Sequence, residues 1–446
     1  MNARTPPAIL ELAPRNQLFR RHTTGKGVDV SSAQRSSSRR RVLVIHRYYW
    51  PDVPPYASLL RAIVDRWTAE GNQVEVLSTQ PSYKPEAGIP AQPKRERLGT
   101  STVRRIALPK DRAGGPKKLL NVMIFPLLVF FHVLFGRQRD VVMCSTAPPV
   151  ILGAAASWAA KLRGARFVYH CMDIHPEIGA LSGEFSNPLV FRILQRLDRG
   201  TCRRAAAVVV LSGDMRRFLL QRDRSIEPSI HILNNFELPD FSPFPGPTPL
   251  PPERTDGLVR IVFTGNLGRF QGLQSVVEVV NRSEAGVELV LMGEGAAKPY
   301  LERLAAETGE RSRIMFLPHG TPTEARALMR SADFGLVSLT PGIINYAYPS
   351  KTMTYLAEGL PLLVIVEQDS ELARTVTAEG IGYSVAHGDT AGLGRALHRI
   401  VGEKDNMETM KARAKTVGER DFGLGQMLDR WTELLDEVMM DEVVAR

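Results

Sequence analysis

The chain has 446 residues, of which 43% are hydrophobic and 23% charged, an ordinary globular composition with room for two domains. The formal net charge is +10, but residues 1–41 hold nine cationic side chains against two acidic ones and so carry +7 of it. The rest of the chain therefore lacks the basic excess of a nucleic-acid-binding protein. Three widely spaced cysteines without a CxxC motif suggest neither a disulfide framework nor a zinc site, and we expect a reducing compartment.

The basic leader, residues 1–40, is rich in Ser, Thr and Arg and has few periodic apolar positions. It lacks the continuous apolar core of a secretory signal. We predict a disordered arm; a membrane-surface tether and a misassigned start are the open alternatives.

An α/β series follows the arm. Apolar runs predict buried strands at 41–45, 74–78, 141–145, 167–170, 206–211 and 231–235, and helical spacing predicts helices at 57–67, 150–162 and 189–203. Strands and helices that alternate at this rhythm build the βαβ units of a parallel sheet. The pattern predicts a doubly wound, Rossmann-like domain over residues 41–238.

Seven prolines between residues 239 and 252 predict a linker, which we place at 239–256. A second series follows, with strands predicted at 259–263, 287–292, 314–317, 334–338 and 362–366 and helices at 273–280, 298–308 and 324–331. It predicts a second Rossmann-like domain at 257–420. An amphipathic helix within 421–446 closes the chain, and we expect it to cross back to the first domain.

One apolar segment, residues 119–135, has basic residues on both sides and an aromatic-rich body. It is short for spanning a bilayer and is interrupted by Asn121, Pro126 and His132. Two interpretations are open: a helix that lies on an anionic leaflet, or a helix that is buried against the sheet.

A candidate anion site begins at Pro349-Ser350-Lys351. Pro349 favours a first helical turn, and Ser350 offers a capping hydroxyl there. A helix start beside a lysine attracts anions, so we predict that Lys351 contacts a phosphate. The alternative is a solvated surface lysine.

Several motifs occur together in one order: Tyr49-Trp50-Pro51-Asp52, Met172-Asp173-Ile174-His175-Pro176-Glu177, Gly265-Asn266-Leu267-Gly268-Arg269, Gly293-Glu294-Gly295 and Pro349-Ser350-Lys351. In this combination the chain resembles the GT-B glycosyltransferases over about residues 41–440. Within that fold it resembles the retaining bacterial group that builds polysaccharides such as O-antigen and colanic acid. The resemblance implies two Rossmann-like domains that face each other across a cleft.

The resemblance implies that the second domain holds a nucleotide-sugar. Glycines at strand ends let backbone N–H groups approach a pyrophosphate, although they can also be simple turn residues. The implied donor-binding residues are Gly265, Asn266, Gly268, Arg269, Gln271, Gly293, Glu294, Ser350, Lys351 and Thr354.

The first domain is expected to hold the acceptor. His and carboxylate side chains that cluster after a strand are candidates for acceptor activation, and the alternative is a hydrogen-bonded structural loop. The catalytic candidates are Asp173, His170 and His175, with Asp173 first by its family position. The acceptor-binding candidates are His46, Arg47, Tyr49, Trp50 and Glu177; aromatic residues such as Tyr49 also serve as ordinary packing.

The chain departs from the family pattern at two glutamates, where it has Tyr346 and Thr354. The second glutamate grips ribose hydroxyls in relatives, and Glu358, one turn further along, is a weak candidate to replace it. At the two positions after the first strand of this domain where the family has Arg and Lys, this chain has Asn266 and Gln271. Lys351 is then the main expected cation, with Arg269 beside it.

These observations predict a glycosyltransferase that moves a sugar from a nucleoside diphosphate to a lipid-linked or polysaccharide acceptor in bacterial surface-glycan synthesis. The resemblance implies a retaining reaction without metal or other cofactor. We expect a cytoplasmic protein in peripheral contact with the inner face of the membrane and no nucleic-acid partner. A sugar-nucleotide epimerase and a non-catalytic glycan-binding or scaffold protein are the alternatives.

Overall fold

The computed structural model describes residues 39–444 except 53, 84–88, 109–115, 182, 186, 238–250 and 308–312. The predicted arm at 1–40, apart from its last two residues, and most of the predicted linker at 239–256 lie outside the described residues. Arg39–Arg446 belong to one compact unit.

The N-terminal half of this unit is built on one sheet. Its elements are β1 (Arg41–Ile45), α1 (Pro55–Ala69), β2 (Gln73–Thr79), β3 (Arg95–Leu98), β4 (Ser101–Ile106), α2 (Pro116–Phe135), β5 (Val141–Ser145), α3 (Ile151–Leu162), β6 (Arg166–His170), α4 (Glu177–Leu181), α5 (Pro188–Arg204), β7 (Ala207–Val210), α6 (Gly213–Arg222) and β8 (Ile230–Ile232). The strand order is β3-β4-β2-β1-β5-β6-β7-β8. Only the β3–β4 pair among these is antiparallel.

The buried strands β1, β2, β5 and β6 confirm the predicted apolar runs. The β3–β4 hairpin and α6 were not predicted. Strand β3 reads RERL and lies at the edge of the sheet with its residues half or fully exposed, so it has no apolar run to reveal it.

Helix α2 has one buried face and one exposed face, so burial against the sheet is confirmed for one face and contact with a leaflet stays a prediction. Phe125, Val129 and Val133, spaced four residues apart, are at most 4% exposed and belong to the core against the sheet. A second stripe at the same spacing is exposed: Met123, Leu127, Phe131 and Phe135. Among the described residues, no helix is long and apolar enough to cross a membrane.

The C-terminal half carries the second sheet. Its elements are β9 (Val259–Thr264), α7 (Leu273–Arg282), β10 (Val287–Met292), α8 (Lys298–Ala306), β11 (Ile314–Leu317), α9 (Pro322–Arg330), β12 (Phe334–Ser338), α10 (Lys351–Ala357), β13 (Leu362–Ile365), α11 (Glu371–Glu379), β14 (Gly382–Val385), α12 (Thr390–Gly402), α13 (Met407–Phe422) and α14 (Leu424–Val444). All strands of the order β11-β10-β9-β12-β13-β14 are parallel. The two sheets with their covering helices confirm the predicted fold class.

Helix α14 packs on the N-terminal half. The rings of Trp431 and Trp67 meet edge to face with their centroids 6.1 Å apart. At the rim, Thr432 donates a hydrogen bond of 2.9 Å to Glu70, and Arg66 donates one of 2.5 Å to Asp429. The last helix thus shares a core with α1, the first helix of the N-terminal half.

Candidate functional site

Two glycine loops meet at the carboxyl ends of β9 and β10. The Gly265 N–H donates to Met292 O at 2.8 Å, and the Leu267 N–H donates to Glu294 O at 2.9 Å. A Cβ at Gly293 would lie 1.8 Å from the carbonyl oxygen of Gly265, so no side chain fits there. Gly265 also has a φ of 120°, which L-residues rarely adopt. The glycines therefore let the two loops touch, a requirement that exists with or without a bound pyrophosphate.

Lys351 lies over this loop pair. Its ammonium nitrogen is 4.3 Å from the centroid of the Phe263 ring, and its Cε is 3.3 Å from where a Cβ of Gly265 would stand. Burial lowers the pKa of Lys351 to about 8. Within the described part of the chain, no carboxylate forms an ion pair with it. The structure thus places Lys351 at the glycine loops without a described carboxylate as counterion, and its contact with a phosphate stays a prediction.

The other predicted donor residues surround the same loops. The amides of Asn266 and Gln271 both approach Gly268, at 2.7 and 2.9 Å from the position that a Cβ would take. The Gln271 Oε1 is buried without a hydrogen-bond partner among the described residues. Arg269 is exposed, and Glu294 forms a 2.7 Å ion pair with Lys298. Two polar side chains therefore converge on Gly268, three residues after the glycine that Lys351 contacts.

The start of α10 differs from expectation in one detail. Ser350 stands at the N-cap position with helical dihedrals, φ −57° and ψ −22°, and its hydroxyl makes no capping hydrogen bond. The predicted cap is wrong because an N-cap side chain reaches back to the helix only from an extended backbone. Glu358, at the other end of α10, is held 2.7 Å from Arg330, which disfavours it as a ribose-binding carboxylate. Thr354 is half-buried.

The loop before α10 contacts the predicted catalytic segment of the other half. Asp173 and Ala347 form an antiparallel bridge, and the Ile174 N–H donates to Tyr346 O at 2.8 Å. The Tyr346 ring packs perpendicular to Phe218, with centroids 4.8 Å apart. Tyr346 therefore serves the contact between the two halves. This contact places Asp173 opposite a loop that leads directly to Lys351.

Asp173 and His175 both have shifted pKa values. Burial raises the pKa of Asp173 to about 6, close to the range in which a carboxyl can exchange protons at neutral pH. Burial lowers the pKa of His175 to about 4, an effect that Glu177 partly opposes. His175 is thus a neutral imidazole, whereas Asp173 is mostly ionised at pH 7.

His46 and His170 form a buried polar pair at the ends of β1 and β6. The His46 Nδ1 pairs with the Ser145 hydroxyl, and His170 Nδ1 lies 2.8 Å from the Tyr56 hydroxyl. Burial lowers both pKa values to about 3, and His170 adds to the shift of His46. The His170 ring also packs on Trp431 of α14 at 4.8 Å. This environment favours a positioning role for His170 and does not expose it to an acceptor.

Three other acceptor candidates, Arg47, Tyr49 and Trp50, are neighbours in sequence but have different surroundings in the structure. Tyr49 is 1% exposed within the core, which favours the packing alternative. Trp50 stacks under Arg61 at 4.1 Å, and Arg47 lies 5.4 Å over the Tyr48 ring.

Glu177 is held within its own half. Gln195 donates a 2.9 Å hydrogen bond to its carboxylate, and the Arg222 guanidinium lies 3.4 Å away. Both partners are distant in sequence, and no local motif announces them. The contacts favour a structural role for Glu177.

The sequence reasoning missed a second contact between the halves. Glu371 accepts a hydrogen bond from the Gly213 N–H, and its own N–H donates to Asp214 at 2.8 Å. The two helix starts, at α6 and α11, thus face each other. An acidic residue in each first turn was the available signal.

Residues 55–235 match the family model described as "Glycosyl transferase 4-like domain". Among curated proteins, the chain is 26% identical over 354 residues to the putative colanic acid biosynthesis glycosyl transferase WcaI of Escherichia coli K12. The alignment covers 75% of this chain and 85% of that protein.

Solved glycosyltransferase structures share the architecture. The sucrose-phosphate synthase of Thermosynechococcus elongatus superposes with a TM-score of 0.66 at 16% identity, covering 90% of this chain and all of the other. Anabaena HepE in complex with UDP-glucose superposes with a TM-score of 0.60 at 14% identity, covering 89% of this chain and all of that one. At such identities the superpositions establish the fold. The chain therefore has the GT-B fold, its residues 55–235 match a glycosyl transferase family model, and it is related in sequence to a protein named as a putative colanic acid biosynthesis glycosyl transferase.

Proposed function

We propose that this protein transfers a sugar from a nucleoside-diphosphate donor to a lipid-linked or polysaccharide acceptor in bacterial surface-glycan synthesis. The donor diphosphate would lie over the Gly265 and Gly293 loops against Lys351. The acceptor would bind on the Asp173 side of the contact between the halves. The relationship to WcaI and the UDP-glucose complex of the HepE neighbour support this assignment.

The observation that carries the proposal is the positive charge of Lys351, whose side chain is half-buried at the loops. Its ammonium is packed on Phe263 and Gly265 without a carboxylate partner among the described residues. A buried charge is costly unless an opposite charge compensates it, and a diphosphate would do so. The diphosphate gains negative charge as it leaves the sugar, so Lys351 would also stabilise the transition state, an effect worth roughly a hundredfold in rate.

On the acceptor side, Asp173 is the candidate for receiving or orienting the acceptor hydroxyl proton. Its raised pKa of about 6 makes it a better proton acceptor than an ordinary aspartate. The hydrogen-bonded contact at Ala347 fixes its backbone against the donor-side loop. We further propose, from the family resemblance, that transfer retains the anomeric configuration and needs no metal; full activity in EDTA and retained stereochemistry by NMR are the expected results.

Calorimetry with UDP and GDP tests the donor site. We expect one of the two nucleotides to bind wild type and Lys351→Ala to weaken that binding by about tenfold or more. Lys411→Ala is the matched control, because Lys411 pairs with Glu408 on α13 far from the loops in sequence. Absence of binding by any nucleoside diphosphate, with Lys351→Ala equal to wild type, rules the site out.

The proposed membrane contact uses the outer face of α2 and its neighbours. Besides the exposed stripe of α2, helix α5 exposes Leu189, Ile193 and Leu197 at the same four-residue spacing, and α3 exposes Trp158 and Leu162. Arginines are interspersed on α5. Apolar stripes with cationic neighbours fit the surface of an anionic bilayer, which supports a peripheral position on the inner leaflet.

Substitutions on the exposed stripe test the membrane contact better than deletion of α2, since deletion would remove core residues such as Val129. Leu127→Ser with Phe131→Ser should lower vesicle binding and leave nucleotide binding intact. Met315→Ser with Tyr300→Ser removes exposed apolar side chains from the other half as the control. Equal vesicle binding by both double variants would remove this part of the proposal.

A non-catalytic glycan-binding protein is the second candidate, and Tyr346 is the observation that favours it. Its ring serves packing against Phe218 where relatives have a glutamate. Glycan binding without release of UDP or GDP from any nucleotide-sugar would favour this candidate over transfer.

A further inference from the structure

A cavity of about 320 Å³ opens where the end of α2 meets β2, β4 and the segment before β5. Four arginines line it: Arg95, Arg104, Arg137 and Arg139. Glu75 is the one carboxylate of the lining, and Phe131 and Phe135 stand at the same wall. The cavity is therefore cationic with an aromatic edge.

The carboxylate of Glu75 is already used. Arg139, which is only 10% exposed at its side chain, forms an ion pair with it, and His132 Nε2 lies 3.4 Å from its other oxygen. Arg95, Arg104 and Arg137 are exposed, and in the described ranges none of them forms an ion pair with a carboxylate. Arg104 also contributes to lowering the pKa of Glu75, so several cations share this one carboxylate. Among the described residues, the cavity lining thus holds more guanidinium groups than carboxylates to neutralise them.

The sheet register brings two of these arginines together. Arg95 of β3 stands directly opposite Arg104 of β4 in the antiparallel pair. Like charges at directly opposite positions destabilise a sheet. An anion bound between them would replace this repulsion by two attractions. Guanidinium groups match the oxygens of a phosphate with paired hydrogen bonds, which makes phosphate the fitting anion.

We propose that this arginine cavity is a binding site for a phosphate group, separate from the donor site. Glu75 is the third residue of β2, and Arg139 precedes β5, so the cavity lies toward the amino ends of the parallel strands. The donor and acceptor candidates follow the carboxyl ends of their strands. The phosphate has two possible sources, a free phosphate or the headgroup of an anionic lipid beside the exposed aromatic residues.

Two binding measurements on the full chain separate the sources. Calorimetry with inorganic phosphate and pyrophosphate measures free ligands, and flotation with phosphatidylcholine vesicles, with and without phosphatidic acid, measures headgroups. The test variant combines Arg95→Gln, Arg104→Gln and Arg137→Gln. The control combines Arg282→Gln, Arg303→Gln and Arg395→Gln, which removes the same charge from exposed helix positions of the other half.

We expect the test variant, and not the control, to lose roughly a hundredfold in binding in one of the two arms. Loss in the calorimetric arm identifies a free phosphate, and loss only with phosphatidic acid vesicles identifies a lipid headgroup. A version with lysine at the three positions keeps the charge and should recover part of the binding. Equal binding by test and control variants in both arms overturns the proposal. UDP or GDP binding by the test variant should remain at the wild-type level, which keeps this result independent of the proposed transfer and also verifies folding.

Discussion

Asp214 and Glu371 cap each other's helices across the contact between the two halves. The Glu371 carboxylate accepts from the Gly213 N–H at the start of α6, and the Asp214 carboxylate accepts from the Glu371 N–H at the start of α11. Both carboxylates also lie at the positive ends of helix dipoles. Together with the Asp173–Ala347 bridge, this exchange fixes the relative position of the donor-side and acceptor-side loops.

Replacing Glu371 by alanine should lower the free energy of unfolding by about 1 kcal/mol and loosen the contact between the halves. Glu324→Ala is the matched control, because Glu324 caps α9 within one half through the N–H of Thr321. Both variants should lose stability in chemical denaturation. Only Glu371→Ala should change the small-angle scattering profile; identical profiles for the two variants would show that the reciprocal caps do not hold the halves together.

Nucleotide binding should weaken as the pH rises through about 8. The pKa of Lys351 is lowered to about 8 by burial, so its positive charge is lost above that pH. Affinity for UDP or GDP should then fall by up to about tenfold per pH unit. Lys351→Arg stays charged and should bind with little pH dependence over the same range. Calorimetry at several pH values measures both, and a flat wild-type profile would contradict a charge-based role.

Asp173→Asn should reduce transfer by roughly a hundredfold or more if the carboxylate handles the acceptor proton. The folded pKa of about 6 lies above the ordinary value, so this group stabilises the fold at low pH and loses that contribution as the pH rises through about 6. The asparagine variant should therefore be more stable than wild type at neutral pH, by up to about 3 kcal/mol.

Wild-type activity should rise with pH through about 6, whereas Glu184→Gln, an exposed change nearby in sequence, should leave the profile unchanged. Denaturation and rate measurements at matched pH give both quantities. An Asp173→Asn enzyme with full activity would remove the assigned role, whatever its stability.

Thr354→Glu should strengthen nucleotide binding by about tenfold, because a carboxylate hydrogen bond to a ribose hydroxyl is stronger than that of a neutral hydroxyl. Thr416→Glu, on the exposed side of α13, is the control for added charge. Unchanged affinity in Thr354→Glu would mean that the ribose lies elsewhere. A glutamate at position 346 would be a poorer test, because it would remove the packing of the Tyr346 ring on Phe218.

The sequence predicted the elements whose burial is continuous. Strand β5, Val141–Ser145, is buried at every position and coincides with the predicted run. Strand β4 was missed because its charged residues Arg104 and Arg105 interrupt the apolar pattern. The surroundings of these two arginines depend on partners in other strands and helices. Arg105 is buried against Glu96, and Arg104 lines the arginine cavity.

The site was predictable where its residues are local to strand ends and unpredictable where partners are distant. Lys351 and Gly265 could be brought together because both follow neighbouring strands of one sheet. The burial of His170 under Trp431 depends on a helix more than 250 positions along the chain. The failure of Ser350 as a cap depends on a backbone angle that the residue type does not determine.

Mass spectrometry of a membrane lipid and glycan extract, incubated with the protein and a panel of UDP- and GDP-sugars, tests the central claim most directly. The account predicts that one donor adds a single sugar mass to an extract component with wild type, and that Lys351→Ala loses the product while Lys411→Ala retains it. An extract left unchanged by every donor, or a donor converted to its epimer without any acceptor, would contradict the account.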